Sequence, residues 1–297
     1  MKKTLKIRKL LCMLSVCIIF IVSNSFIYEQ IQINADDTPA GALPEDFELI
    51  EDEDLLTDEE LKDHGEVDAE ETFTLDDVMK SDFSAVAEEE ELPKDGEIQL
   101  DSFDENDWKI VLINKQHSIP EDYEFTLGTI STSKGSMKCD ERIIPELQQM
   151  MQAAKDDGVT LVICSPYRDY ERQIYLFNRK IKAYMKQQMS YLEAYRVTAQ
   201  AVTVPGASEH QIGLALDIVT NTYQSLNEGF EDTDAGKWLA KHSYEHGFIL
   251  RYPKGKEDIT GISYEPWHFR YVGKAAAKYM YDHDMTLEEF TAELQAQ

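Results

Sequence analysis

The acidic residues of this chain are concentrated in one segment. Residues 36–107 contain 30 Asp and Glu against three Lys, whereas residues 108–297 contain 26 Asp and Glu against 21 Lys and Arg. A segment so rich in like charge buries too little apolar surface to offset the entropy of an ordered chain. We therefore expect an acidic disordered linker over 36–107 and one folded domain over 108–297. The net charge of −28 excludes an electrostatic nucleic-acid binder, which needs clustered cations.

The first 35 residues have the pattern of an export signal. Five Lys and Arg precede the apolar run Leu10–Val22, which is the order found in signal peptides. Cleavage after Ala35 would release the chain, whereas an apolar stretch extended to Ile27 is just long enough to cross a bilayer. A signal peptide and an uncleaved membrane anchor over 1–35 both remain open. Either alternative predicts an extracytoplasmic domain, secreted or held at the membrane.

The folded part shows helices and strands in blocks, without the alternation that a parallel sheet requires. Apolar periodicity and capping residues predict helices over 142–157, 169–187, 190–201 and 235–246 and from 286 onward. Short β-rich runs predict strands over 108–113, 159–164, 214–219, 248–252 and 267–272. This order predicts an α+β fold, a compact single domain with a mostly antiparallel sheet flanked by helices. We expect Cys139 and Cys164 to be buried thiols.

The strongest functional signal is SEHQIGLALD at 208–217, followed by EPWH at 265–268. Two imidazoles and a carboxylate, here His210, Asp217 and His268, are a common ligand set of catalytic zinc, and they leave one position open. Asp217 lies in an apolar strand, where a carboxylate is unfavourable unless it is paired or bound to a metal. Glu265 precedes His268 by three residues and can reach the same cavity as a general base.

Each of these residues taken singly also has a structural explanation. Asp217 could form an ion pair with Arg168, and His268 could pack beside Trp267, so spacing alone leaves both interpretations open. Arg168 follows a predicted strand, where its guanidinium suits a carboxylate or a developing oxyanion. A second pattern, HSYEH at 242–246, matches the inverted zincins. Its surroundings favour an ordinary amphipathic helix with solvated imidazoles.

These motifs together resemble the VanY-type D-alanyl-D-alanine carboxypeptidases. The resemblance covers about residues 108–290 and includes SPYR at 165–168, the 208–217 motif, GFILRYP at 247–253 and the stretch around EPWH. It implies a compact α+β fold like that of the hedgehog and D-Ala-D-Ala peptidases. One departure is a proline before Tyr167, where the family usually has glycine, and this predicts a stiffer loop.

The resemblance also implies roles for particular residues. One Zn²⁺ ion would be bound by His210, Asp217 and His268, with Glu265 as catalytic base. Arg168 would contact the reacting carbonyl or a substrate carboxylate. Two further residues, Ser208 and Gln173, are candidates for substrate contacts.

The function implied is that of an extracytoplasmic zinc D,D-carboxypeptidase at the cell wall, which removes the terminal D-Ala from peptidoglycan stem peptides. Residues 108–297 would be its catalytic domain. The expected partners are those peptides and, if the N-terminal segment is not cleaved, a membrane. The same motifs are compatible with an L,D-carboxypeptidase or an endopeptidase on peptidoglycan peptides. From another class of proteins, a non-catalytic cell-wall-binding module tethered by the acidic segment also remains open.

Overall fold

The computed structural model describes residues 72–86, 98–132 and 135–297. The signal peptide or membrane anchor predicted over 1–35 and the first half of the predicted linker, 36–71, lie outside the described residues. Within the described ranges, no helix combines the length and the apolar character needed to cross a membrane.

Antiparallel strands form the centre of the fold. The strands are β1 Phe73–Thr74, β2 Leu127–Ser131, β3 Ser136–Asp140, β4 Val162–Ser165, β5 Ala215–Val219, β6 Phe248–Leu250 and β7 His268–Tyr271. Five of them form one sheet in the order β1-β4-β5-β7-β6, and β2 pairs with β3 separately. Every pairing is antiparallel, so the predicted antiparallel α+β architecture is confirmed.

Eight helices are present in the described residues, and three of them begin at predicted capping residues, Asp169, Ser190 and Thr286. The eight helices are α1 Leu75–Val78, α2 Ile144–Asp156, α3 Tyr170–Lys186, α4 Tyr191–Ala201, α5 Asp234–His242, α6 Glu257–Thr260, α7 Lys274–Asp282 and α8 Leu287–Gln295. The Asp169 side chain accepts from the Arg172 amide at the start of α3. Ser190 and Glu193 form a capping box at α4. Both contacts satisfy amides that a helix N-terminus leaves unpaired.

The strand predicted over 108–113 is wrong, because Trp108–Ile110 is a 3-10 turn. The Asp107 side chain accepts from the Lys109 amide and begins this turn. The carbonyl oxygens of Lys109 and Val111 accept hydrogen bonds from Arg270 Nη2. The Arg270 side chain therefore supplies the hydrogen bonds that a neighbouring strand would give to these two carbonyl oxygens.

The predicted boundary of the folded domain at residue 108 is also wrong. Phe73 pairs with Ile163 and places β1 at the edge of the main sheet. Phe73, Leu75 and Val78 are buried in the main hydrophobic core. A short apolar island within the acidic segment therefore belongs to the domain. The overall composition of the segment did not indicate this apolar island, because acidic residues lie on both sides of it.

Candidate metal centre

Three side chains meet where β5 and β7 pair. The strand register places Asp217 directly opposite His268. His210 comes from a 3-10 turn, Glu209–Ile212, that precedes β5. Gly213 ends this turn with φ 72°, and a Cβ there would lie 2.5 Å from the backbone nitrogen of Asp140. Only glycine allows both this backbone conformation and this close approach.

The distances fit a single metal ion. One donor atom from each of His210, Asp217 and His268 lies within 4.8 Å of the other two. Asp217 Oδ1 lies 3.0 Å from His268 Nδ1 and 3.5 Å from His210 Nε2. All three side chains are buried. Imidazole and carboxylate donors in this number match a zinc site that keeps a position for substrate or water.

The surroundings of His210 leave one of its nitrogens free for a metal. Its Nδ1 lies 2.9 Å from the Pro166 carbonyl oxygen, which can only accept a hydrogen bond. Nδ1 therefore carries the proton, and Nε2 keeps its lone pair. This buried Nε2 has no hydrogen-bond partner among the described residues. A buried polar atom left in this way is explained by a missing ligand, so the site fits zinc.

The electrostatics favour an ionised carboxylate beside a neutral imidazole. Burial alone would raise the pKa of Asp217, but the neighbouring His210 and His268 hold it well below its usual range. Burial, assisted by the Arg168 guanidinium, lowers the pKa of His210 to about 4. Burial opposes protonation of His268, but hydrogen bonding to Asp217 raises its pKa to about 9. A bound cation would compete with that proton.

Glu265 lies beside this group as expected for a base. Its Oε2 is 3.7 Å from His268 Nδ1, and its amide donates to the Tyr252 carbonyl. Burial raises the pKa of Glu265 to about 8, and the negative charge of Asp217 acts in the same direction. The carboxylate is therefore a much stronger proton acceptor than an exposed glutamate.

The loop that carries Arg168 is fastened to the ligand-bearing turn. The Arg168 amide donates to the His210 carbonyl oxygen at 3.2 Å, and the Tyr167 amide donates to Lys138. The Arg168 guanidinium interacts electrostatically with Asp217 and Glu265. Its buried Nε has no hydrogen-bond partner within the part of the chain that the structure describes. The role of Arg168 towards a substrate oxygen stays a prediction.

Ser208 and Gln173 are both buried. Gln173 Nε2 donates to the Thr203 carbonyl oxygen at 2.6 Å, while its Oε1 has no partner among the described residues. Ser208 directly precedes the turn that carries His210. The structure brings neither side chain into hydrogen-bond contact with the three candidate ligands over the described ranges. Their roles as substrate contacts stay predictions.

Comparison with known proteins agrees with this geometry. The family model of VanY, D-alanyl-D-alanine carboxypeptidase, matches residues 136–274. Over 187 residues the chain is 39% identical to the D-alanyl-D-alanine carboxypeptidase of Enterococcus faecalis, covering 63% of this chain and 67% of that protein. The chain belongs to the VanY family. The chain spans about two thirds of the length of two of the curated relatives that it matches and about half the length of two others.

Solved VanY-family structures share this fold. The chain is 39% identical, with a TM-score of 0.56, to a vancomycin-resistance D,D-pentapeptidase VanY mutant in complex with Zn(II). That match covers 62% of this chain and 99% of the other. It is 40% identical to the LdcB LD-carboxypeptidase, with a TM-score of 0.51, covering 63% of this chain and 88% of that one.

Sequence reasoning missed a buried ionic network beside the three candidate ligands. Glu209 Oε1 lies 2.8 Å from Arg251 Nε and 2.9 Å from Arg270 Nη1. Arg251 also donates to both carboxylate oxygens of Glu288 on α8, at 2.8 and 2.7 Å. The sequence did contain a signal for this network. Arg251 and Arg270 each lie in an apolar run predicted as a strand, and a buried charge needs a partner.

The second histidine pair contacts side chains of its own segment. His242 Nδ1 contacts Glu245 Oε1 at 3.1 Å, and the rings of His242 and His246 lie against Trp238. Within the described ranges, only the His210 group has metal-binding geometry. The helix predicted over 235–246 is present as α5, and its last part, Ser243–His246, is a 3-10 turn. The two buried cysteines, Cys139 and Cys164, are free thiols, as predicted.

Proposed function

We propose that this chain is an extracytoplasmic, zinc-dependent D,D-carboxypeptidase that removes the terminal D-Ala from peptidoglycan stem peptides. The observation that carries the proposal is the buried group His210, Asp217 and His268, with an unpartnered imidazole nitrogen and Glu265 beside it. Membership in the VanY family supports the substrate class, and the Zn(II) complex of a relative supports the metal. The charged and apolar pattern of 1–35 supports the location outside the cytoplasm.

In this mechanism His210, Asp217 and His268 would hold one zinc ion. Bound zinc supplies Lewis acidity that polarises the scissile carbonyl and lowers the pKa of water. Glu265 accepts a proton from the attacking water and returns it to the amine of the leaving D-alanine. Arg168 donates hydrogen bonds to the oxygen on which negative charge develops, or to the terminal carboxylate.

The L,D-carboxypeptidase activity is the second candidate. It is favoured by the similarity to LdcB, which is named as an LD-carboxypeptidase. The two activities differ in the peptide that is trimmed, because one removes the last residue of a pentapeptide stem and the other that of a tetrapeptide. The same water, base and arginine would serve both reactions.

Mass spectrometry of penta- and tetrapeptide stems incubated with the full chain tests the proposal. We expect the pentapeptide to lose its terminal D-Ala, a chelator to stop the release and added zinc to restore it. Trimming of the tetrapeptide alone would favour the L,D activity, and internal cleavage would favour an endopeptidase. Binding to peptidoglycan without release of D-Ala would favour a non-catalytic module and contradict the proposal.

A further inference from the structure

The Glu209 side chain faces His268, although the candidate ligand next to it in the sequence is His210. Its Oε2 lies 3.8 Å from His268 Nε2, on the side of the imidazole away from Asp217. Its Oε1 is held by Arg251 and Arg270. We propose that Glu209 is a positioning residue that orients His268 and fixes its tautomer for metal binding. This inference rests on the zinc centre proposed above.

The two nitrogens of His268 face carboxylates on opposite sides. Nδ1 lies 3.0 Å from Asp217 Oδ1, within the candidate ligand group, and Nε2 faces Glu209. An ionised carboxylate only accepts hydrogen bonds, so Glu209 favours the tautomer with its proton on Nε2. That tautomer leaves the Nδ1 lone pair for a metal. A carboxylate behind a metal-binding histidine commonly has this role.

Two atoms that lack partners face each other in this contact. Glu209 Oε2 and His268 Nε2 are both buried and without a hydrogen-bond partner among the described residues. Their separation of 3.8 Å is just beyond hydrogen-bond length. A small rotation of either side chain satisfies both atoms at once. A purely structural ion pair would have no reason to leave its second oxygen directed at a candidate ligand.

The arginines hold the carboxylate in place and in its charged form. Burial alone would raise the pKa of Glu209, but Arg251 and Arg270 keep it well below its usual range. Glu209 and both arginines are at most 1% exposed. Glu288 on α8 binds the far side of Arg251 through two hydrogen bonds. Two carboxylates therefore balance two guanidinium groups in this buried network.

A pair of matched variants separates positioning from general stability. In Glu209→Gln the amide oxygen must face the arginines, which only donate, so the amide NH₂ faces His268 Nε2. This arrangement favours the tautomer that places the proton on Nδ1 and blocks the metal. Glu288→Gln also perturbs Arg251, but the hydrogen bonds of the Glu288 carboxylate go to Arg251 and Asn114 and none goes to His268.

The zinc affinity of the full chain is measured by competition with a fluorescent chelator, together with the thermal midpoint of each zinc-free protein. We expect the zinc dissociation constant to rise by about 10- to 100-fold in Glu209→Gln. In Glu288→Gln it stays near the wild-type value, even though both zinc-free variants lose thermal stability. Equal affinities in the two variants, whether both wild-type or both weakened, would overturn the inference.

Nitrogen NMR of the zinc-loaded wild-type chain tests the inference if Glu209→Gln fails to fold. The expected spectrum shows His268 bound to zinc through Nδ1 with a proton on Nε2, and the reverse assignment would overturn the role of Glu209. A wild-type chain that binds no zinc at all would instead contradict the proposed function, together with this inference.

Discussion

The Glu265 carboxyl lies 3.7 Å from the His268 imidazole and is buried. If it is the general base, Glu265→Gln keeps the shape of the side chain but removes its capacity to accept a proton. We expect turnover to fall by about 10²–10⁴-fold, the usual contribution of general-base catalysis, while the zinc content stays at the wild-type level. Steady-state release of D-Ala and metal analysis of the same sample measure both quantities. Wild-type turnover in the variant would remove Glu265 from the mechanism.

The raised pKa of Glu265 also predicts a pH-dependent stability of the zinc-free protein. With a folded-state pKa of about 8 against an ordinary value of 4.5, the folded state keeps a proton that the unfolded state releases. The free energy of unfolding should therefore fall as pH rises through this window. Glu265→Gln removes this effect. At pH 8 the free energy of unfolding of the variant should therefore exceed that of the wild type by about 2–4 kcal/mol.

Denaturant unfolding of both chelated proteins between pH 4.5 and 8.5 measures that difference. At the acid end the carboxyl is protonated in the folded state and already about half protonated in the unfolded state, so the two curves should nearly coincide. A stability difference that does not change with pH would show that the pKa of Glu265 is not raised in the folded protein.

Arg168 offers a third test at the scale of one residue. An ammonium group cannot reproduce the two-pronged hydrogen bonding of a guanidinium, so Arg168→Lys should reduce turnover by about 10- to 100-fold, less than the loss of a complete oxyanion donor. Arg172→Lys is the matched control, because Arg172 is exposed on α3 and lies over the Tyr175 ring. Peptide-trimming rates of the two variants measure the difference. Equal rates would support an ion-pair role for Arg168.

At this scale the sequence predicts the candidate ligands better than the groups that contact and orient them. His210, Asp217 and His268 stand in short motifs with fixed spacing, and the structure brings them together as that spacing suggested. The support for His210 is the carbonyl oxygen of Pro166, and every residue type has such a group. Glu209 reaches Arg251 across 42 positions of the chain, so no local pattern could indicate their contact.

Among the elements, most of those with strong local signals were predicted, and the strands with weak local patterns were not. The predicted starts of α3 and α4 rest on capping residues, and the structure confirms them. The β2–β3 pair and β1 carry weak local patterns. The partner of β1 lies about 90 positions away, in β4. Pairing over such distances is decided by burial in the whole domain, which composition does not reveal.

The edge strand β1 makes a prediction of its own. Phe73 is 4% exposed and packs in the main core, so Phe73→Ala should lower the free energy of unfolding by about 3 kcal/mol. Met79→Ala, five residues beyond the end of β1, is the control, because Met79 is 52% exposed. Urea unfolding followed by tryptophan fluorescence measures both variants. Equal stability of the Phe73 variant and the wild type would show that β1 does not contribute to the folded domain.

At the scale of the whole molecule, the candidate ligands join separate parts of the chain. His210 lies in the turn before β5, Asp217 within β5 and His268 at the start of β7. No metal site exists until these parts are assembled, so zinc should bind the folded chain far better than the unfolded chain. Ligand binding to the native state alone stabilises that state by mass action, by about 2.7 kcal/mol at 100 times the dissociation constant.

Zinc removal should therefore change stability and activity together. We expect a chelator to lower the thermal midpoint of the full chain and to stop D-Ala release, and added zinc to restore both. His210→Ala should lose the zinc-dependent rise in the midpoint, because only two of the three ligands remain. His242→Ala should keep it, since His242 is paired with Glu245 away from the ligand group. A midpoint that does not respond to zinc in the wild type would mean that the three buried side chains are held by contacts with one another, without a metal.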